Sequence, residues 1–298
     1  MKINFIGVPL FLGCDNAGVE TGPEKLRERS IITILEGNGH TVYDMGDLNV
    51  PYVSEEEKYG SHSKMKYLAQ VAQVNTNLAH AVYSSLCSKT FPLIIGGDHS
   101  LGLGSMCGAS KYYENLAVIW VDAHGDINTS ETSPTGNIHG MPLSAAMGIG
   151  DDLLTNIYYT GDKINPENVF IIGARDLDEG ELKLIEEKKI NVYNTEDVKT
   201  KGIDTILKEI HNILISKKID AIHLSFDIDC LDPEYVPGTG TPVKDGMSIE
   251  EIKTLLKYFL ETRLIKSMDF VELNPLLDDT DATITLCVEL LDWASKYI

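Results

Sequence analysis

With 298 residues the chain can bury one large core or two modest ones, and 43% hydrophobic against 23% charged residues is the balance of a globular protein. Its 45 acidic and 25 basic side chains give a formal net charge of -20, which argues against nucleic acid and anionic membranes as partners, since both need a basic face. The five cysteines are scattered and form no CxxC pair, which argues against a disulfide framework or a thiolate zinc site.

In chain order, "KINFIGVPL" reads as a first strand rather than a signal peptide, because Asn4 and Pro9 interrupt it and no small-residue cleavage site follows. No apolar run reaches the roughly 18 residues that a membrane span needs, and the expected compartment is the cytoplasm. A helix-like segment, "GPEKLRERSIITILEGNG", leads to a second strand, "HTVYDMG", and then to a long helix, "KMKYLAQVAQVNTNLAHAVYSSLCSK". Further strands are expected at "FPLIIGG", "LAVIWVDAH", "NVFIIGAR", "INVYNTE", "AIHLSFDID" and "SMDFVELNP". Between the last four lie the helices "DTILKEIHNILISKK" and "SIEEIKTLLKYFLET", the second opening on Ser248 and Glu251 at capping-box spacing. Continuously apolar strands alternating with amphipathic helices imply βαβ units and a mostly parallel sheet. No linker or repeat divides the chain, so one α/β domain over 1–298 is expected. Periodicity does not choose between a barrel and an open sheet, but in both the sites gather at the carboxyl ends of the strands.

Polar residues cluster at three such ends. "FPLIIGGDHS" ends in paired glycines, Asp98 and His99; "VIWVDAHGD" supplies Asp122, His124 and Asp126; "SFDIDCLDP" supplies Asp227 and Asp229, then Asp232. If the extended conformation persists to Asp126, its alternate side chains share one face. Unpaired buried charge is costly, so such a cluster faces water or holds cations. Four Asp and two His exceed one tetrahedral zinc but suit two divalent ions sharing carboxylates. Oxygen-rich ligation favours a harder ion such as Mn²⁺ and leaves Zn²⁺, Fe²⁺ and Co²⁺ open. Two metals about 3.5–4 Å apart can acidify a shared water, which points to a hydrolase. The polar segment at 128–144, "NTSETSPTGNIHGMPLS", follows directly and could line a substrate pocket. His139 within it is placed to carry protons.

These motifs, with "GVETGPEKLR", "GTGTPV" and "MDFVELNP", resemble the ureohydrolases, the arginase and agmatinase family, across most of the chain. The resemblance implies the arginase-like fold, a three-layer α/β/α arrangement of an eight-stranded parallel sheet. It implies two Mn²⁺ ions on His99, Asp122, His124, Asp126, Asp227 and Asp229. The loop "DINT…SPTGNIHGMP" looks like that of arginases, which implies that Asn128, Thr135 and Asn137 bind the amino-acid end of L-arginine. Thr135 stands where arginases commonly have Ser. "GARDLDEGE" is similar to the segment that receives the α-amino group, which maps to Asp178 and Glu181. By the same resemblance a metal-bridging hydroxide attacks the guanidinium carbon, Glu272 orients the guanidinium, Asp126 moves a proton to the leaving amine, His139 shuttles protons and Thr241 assists by hydrogen bonding. The products would be L-ornithine and urea, and the family's habit implies a homo-oligomer, a trimer or hexamer. The loop Lys244-Asp245-Gly246-Met247 departs from the family's Gly-Gly-Leu-like turn, and Cys230 occupies a position where a small residue is common. The competing readings are an agmatinase or guanidinobutyrase, a binuclear phosphoesterase using Arg175 and Lys244, and a non-catalytic binding protein.

Overall fold

The eight apolar runs form eight parallel strands in one sheet. They are β1 (Lys2–Val8), β2 (Thr41–Asp47), β3 (Phe91–Gly96), β4 (Leu116–Val121), β5 (Val169–Ile172), β6 (Asn191–Tyr193), β7 (Ala221–Asp227) and β8 (Ile265–Val271). The computed structural model describes all 298 residues and orders the strands β2-β1-β3-β8-β7-β4-β5-β6. The sheet is open, with β2 and β6 at its edges.

Alternation along each strand divides the core in two. Ile119 and Val121 face one side of β4 with Phe170 and Ile172 of β5, against helices α1 (Gly22–Glu28), α2 (Ile31–Gly37), α6 (Ile203–Ser216), α7 (Ile249–Glu261) and α8 (Ala282–Ser295). Val118 and Trp120 face the other side with Val169 and Ile171, against α3 (Leu68–Cys87) and α4 (Gly102–Tyr112). A further helix, α5 (Glu179–Lys188), packs Leu184 and Ile185 on this second side. Each fully buried Val, Ile or Phe contributes about 1.5–3 kcal/mol, so both faces of the sheet are strongly held. This is the open three-layer arrangement that the family resemblance implies, and it settles the choice that periodicity left between barrel and open sheet.

Two expectations need correction. The segment at 22–39 is not one helix, because Ser30 adopts φ 61°, a left-handed conformation that ends α1 and restarts the chain as α2. The long helix begins at Leu68, after Tyr67 at φ 51°, so 64–67 is a connecting segment. The Ser248 capping box is present: Glu251 Oε2 accepts from the Ser248 N–H at 2.8 Å, and Ser248 Oγ accepts from the Glu251 N–H. The topology sets the site, because β3, β8, β7 and β4 are consecutive neighbours and all four carry polar residues at their carboxyl ends.

Candidate active site

The ends of β3, β4 and β7 bring together all six residues read as ligands. His99 Nδ1 lies 3.0 Å from Asp122 Oδ2, 3.1 Å from Asp126 Oδ2 and 3.1 Å from Asp227 Oδ2. His124 Nδ1 lies 3.3 Å from Asp122 Oδ1 and 3.2 Å from Asp229 Oδ2. The donors therefore fall into two groups, with Asp122 common to both. They converge for a reason other than strand alternation. β4 stops at Val121, and Asp126 is turned back by a left-handed backbone, φ 51°.

The donors fit a pair of cations. His99 Nδ1 is buried and makes no hydrogen bond of acceptable geometry, although three carboxylates surround it. Its Nε2 lies 2.8 Å from Ser225 Oγ, which fixes the ring and leaves Nδ1 as a free ligand atom. Burial and the Asp122 charge push the Asp126 carboxyl up to about 6. Burial with Asp229 and Asp122 drives Asp227 well above the carboxylate range. Asp122 is held well below it: burial opposes ionisation, but the His124 and His99 imidazoles outweigh burial. Without metal, the cluster can stay buried only by holding protons, the pattern of a site built for positive charge.

A second layer, missed in the sequence, holds the ligands. Trp120 Nε1 donates to Asp122 Oδ2 at 2.9 Å, and its ring stacks on His99 with centroids 3.9 Å apart. Ser225 Oγ also reaches Asp269 Oδ2 at 3.3 Å, which accepts from Ser105 Oγ at 2.6 Å and lies 2.9 Å from His223 Nε2. The signal was present in the alternation. His223, Ser225 and Asp227 share one face of β7, and His223 and Ser225 register against Ser267 and Asp269 of β8. Polar residues at every second position in a strand buried on both faces need partners. Gly97 is required by contact: a Cβ there would sit 2.0 Å from the Leu10 carbonyl oxygen. Asp98 does not join the carboxylate–imidazole cluster; it accepts from the backbone N–H groups of Gly13 at 2.8 Å and Ser100 at 3.0 Å.

The remaining site residues line two adjoining cavities. One, of about 170 Å³, has no hydrophobic wall and is bordered by Asn128, Thr135, Asn137, His139, Asp178, Glu181 and Thr241 beside His99, His124, Asp126 and Asp227. The other, of about 200 Å³, shares Asn137, His139 and Thr241 and adds Glu272 and Cys14. Glu272 is buried and takes φ 64°, a strained conformation for a non-glycine residue that recurs at functional sites. Its Oε1 accepts from the His99 backbone N–H at 2.8 Å and lies 3.2 Å from His139 Nδ1. Burial alone would lower the His139 imidazole, but the Glu272 carboxylate outweighs it and raises the group to about 9. Thr241 Oγ1 donates to Asp229 Oδ2 at 3.0 Å, so it steadies a candidate ligand while facing the cavity.

Asp178 has two positions in one. It is the N-cap of α5, with Glu181 completing a capping box, and its Oδ2 accepts from Asn128 Nδ2 at 2.8 Å. Asn128 Oδ1 is left buried without a hydrogen-bond partner. Both Glu181 oxygens are already engaged by the backbone N–H groups of Ile127 at 3.1 Å and Asp178 at 2.9 Å. Burial pushes its carboxyl up to about 7. Arg175 is not free for phosphate, because its guanidinium donates to the carbonyls of Gly173, Asp229, Cys230, Leu231, Val243 and Lys244. The departing loop is tied down by Gly246 N–H to Asp232 Oδ2 at 3.0 Å and by the Leu231–Met247 bridge, away from both cavities. Cys230 is a buried free thiol.

Comparison with known proteins agrees with this geometry. A family model described as Arginase family matches residues 1–294. The arginase of Bacillus caldovelox is 43% identical over 289 residues, covering 97% of this chain and 96% of the relative. A crystal structure of arginase from Bacillus subtilis subsp. subtilis str. 168 superposes with a TM-score of 0.92 at 42% identity, over 99% of this chain and 98% of that one. An Entamoeba histolytica arginase in complex with L-ornithine superposes with a TM-score of 0.89 at 34% identity, over 99% and 98% of the two chains. Likeness of this extent over nearly every residue means common descent, and the chain belongs to the arginase family.

Proposed function

We propose that the chain is an arginase: a single catalytic domain over 1–298 that hydrolyses L-arginine to L-ornithine and urea with two Mn²⁺ ions. The observation that carries this reading is the neutral, hydrogen-bonding loop of Asn128, Thr135 and Asn137, which together with Asp178 lines the cavity that holds the carboxylate–imidazole cluster. Its curated relatives are arginases, and the Entamoeba histolytica arginase structure carries L-ornithine.

His99, Asp122, His124, Asp126, Asp227 and Asp229 would hold the ions. When bound, two divalent cations supply an activated water nucleophile at neutral pH. The chain's own residues do the rest. Glu272 Oε1 is engaged by His99 and His139, which leaves Oε2 to receive the substrate guanidinium in a charge-assisted contact. Asp126 delivers a proton to the leaving amine nitrogen, and His139 exchanges protons with bulk water. At the other end, Asp178 and the unpaired Asn128 Oδ1 receive the α-ammonium, while Thr135 and Asn137 receive the α-carboxylate. Glu181 holds the wall that carries Asp178, and Thr241 keeps Asp229 in register. No helix is long and apolar enough to cross a membrane. A cytoplasmic location suits the five free thiols, and assembly into a trimer or hexamer follows family habit.

The test is urea release by the Mn²⁺-loaded protein from L-arginine, agmatine and 4-guanidinobutyrate in parallel. A strong preference for L-arginine is expected. Preference for agmatine would keep the metal chemistry and overturn the substrate.

A further inference from the structure

We infer that Lys66 is a positioning residue that sets the Asn137 amide for the substrate α-carboxylate, and so helps the protein choose an amino-acid guanidine over a decarboxylated one. The inference rests on the arginine reading above and deepens it.

The geometry is unambiguous in its polarity. Lys66 Nζ donates to Asn137 Oδ1 at 2.7 Å, and Asn137 Nδ2 donates to the Cys14 carbonyl at 2.9 Å. An ammonium has only donors and a carbonyl only lone pairs, so each pins its own end of the amide. A 180° flip would set the amide nitrogen against the ammonium and the amide oxygen against the Cys14 carbonyl. The second Asn137 N–H is thereby kept as a donor at the edge shared by both cavities. Without Lys66 only the Cys14 carbonyl would hold the amide, and a flipped amide would present its oxygen to an incoming carboxylate, which repels it.

Lys66 is itself held. Its backbone N–H donates to the Gly136 carbonyl at 3.0 Å, and Gly136 lies so close to Lys64 that a Cβ would sit 2.3 Å from the Lys64 carbonyl oxygen. Its ammonium lies 3.0 Å from Asp15 Oδ2, and Lys58 reaches the same oxygen at 2.8 Å. Lys58 also reaches Glu55 at 3.5 Å, so Asp15 is shared between two ammoniums and neither holds it alone, which leaves Lys66 a donor for Asn137. The Lys66 side chain is only 16% exposed, which limits screening by water. On the cavity side the walls Asp126, Asp176, Asp178, Glu181 and Asp227 are acidic, and the His139 imidazole is already engaged by Glu272. A carboxylate entering that cavity needs a cation nearby, and Lys66 supplies one through the polarised amide.

The experiment compares full-length, Mn²⁺-loaded wild type with Lys66→Met, Lys66→Gln, Lys66→Arg, Asn137→Ala and the Lys66→Met/Asn137→Ala double variant. It reads steady-state urea release from L-arginine and agmatine, with L-ornithine binding by calorimetry as a measure independent of turnover. Lys66→Met and Lys66→Gln are expected to raise KM for L-arginine and weaken L-ornithine by about tenfold, with kcat changed by less than about threefold. Agmatine kcat/KM stays within about twofold, Lys66→Arg recovers most of the loss, and Lys66→Met adds nothing once Asn137 is gone. Equal losses on both substrates, an unchanged KM for L-arginine, or multiplying effects in the double variant would overturn the role. Wild type that prefers agmatine would instead remove the arginine assignment and this inference with it. A wild type that prefers L-arginine, with Lys66 variants that keep that preference, removes the inference alone.

Discussion

Replacing Trp120 by Phe tests whether the layer behind the ligands tunes the metal site or only fills space. The residue is fully buried, its N–H donates to Asp122 Oδ2 at 2.9 Å, and its ring lies 3.9 Å from that of His99 with the planes 7° apart. Loss of a hydrogen bond to a charged group costs about 1.5–3 kcal/mol. The void left by the smaller ring adds about 1 kcal/mol, and the ring stacking is partly retained by phenylalanine. The sum is about 3 kcal/mol. At about 2.1 cal/mol/K per residue, 298 residues give an unfolding entropy near 0.6 kcal/mol/K, so Tm of the metal-free protein falls by about 5 °C. Freed from the indole, the Asp122 carboxylate can rotate, and because it serves both ligand groups, Mn²⁺ affinity is expected to drop by about tenfold or more. Calorimetric melting with and without metal, together with Mn²⁺ titration, separates the two effects. A Tm loss with Mn²⁺ affinity unchanged within about twofold would show the indole to be filler and refute the reasoning.

Four further outcomes are expected. Stripping the metal with a chelator should lower Tm by about 4 °C per ion, for an ion initially present at about 100 times its Kd. Because burial and Asp122 raise the Asp126 carboxyl to about 6, rebinding must expel its proton below that pH. Mn²⁺ affinity should therefore rise as pH increases through 6, seen as buffer-dependent heats in calorimetry. Glu272→Gln removes a buried charge aimed at a cation and should lower kcat/KM for L-arginine at least about 30-fold, while Mn²⁺ affinity measured by titration stays close to wild type. Burial pushes the Asp278 carboxyl up, but Thr280 Oγ1 and the backbone N–H groups of Thr283 at 2.7 Å and Thr280 at 2.9 Å donate to it and carry it down to about 2. A depressed pKa contributes stability that is whole above pH 4 and lost as pH falls towards 2, about 2 kcal/mol in all. Asp278→Asn should abolish that part of the acid sensitivity in urea denaturation at pH 6 and pH 2.5.

The strands were legible because each is buried on both faces and so is written as a continuous apolar run, as in "LAVIWV" or "FPLIIG". The six candidate ligands were legible because Asp and His stand where those runs stop. What turns them together was not legible. Strand alternation suggested that Asp126 joins the cluster, but β4 ends at Val121 and a left-handed residue does the work. Ser30 breaks a helix in the middle of a helical pattern for the same reason: a positive φ on a non-glycine residue leaves no mark in composition. The polar stripe of His223, Ser225 and Asp227 was readable in principle, since polar residues at every second place in a buried strand demand partners. The contact from Lys66 to Asn137 was not, because it joins positions 71 residues apart through a side chain and a loop.

The place of β8 in the sheet has a consequence for how the protein is made. It is the last strand in the chain, yet it lies between β3 and β7, near the middle of the sheet. Until residue 271 has left the ribosome, β3 and β7 each expose a bare edge of unpaired backbone. Such edges invite pairing with other chains. From residue 227, where β7 is complete, to residue 271 the nascent chain holds two unjoined half-sheets, and it closes when β8 fills the gap, bringing Glu272 to the cluster in the same movement. Chains that stop short of this strand should aggregate rather than yield a weakened enzyme.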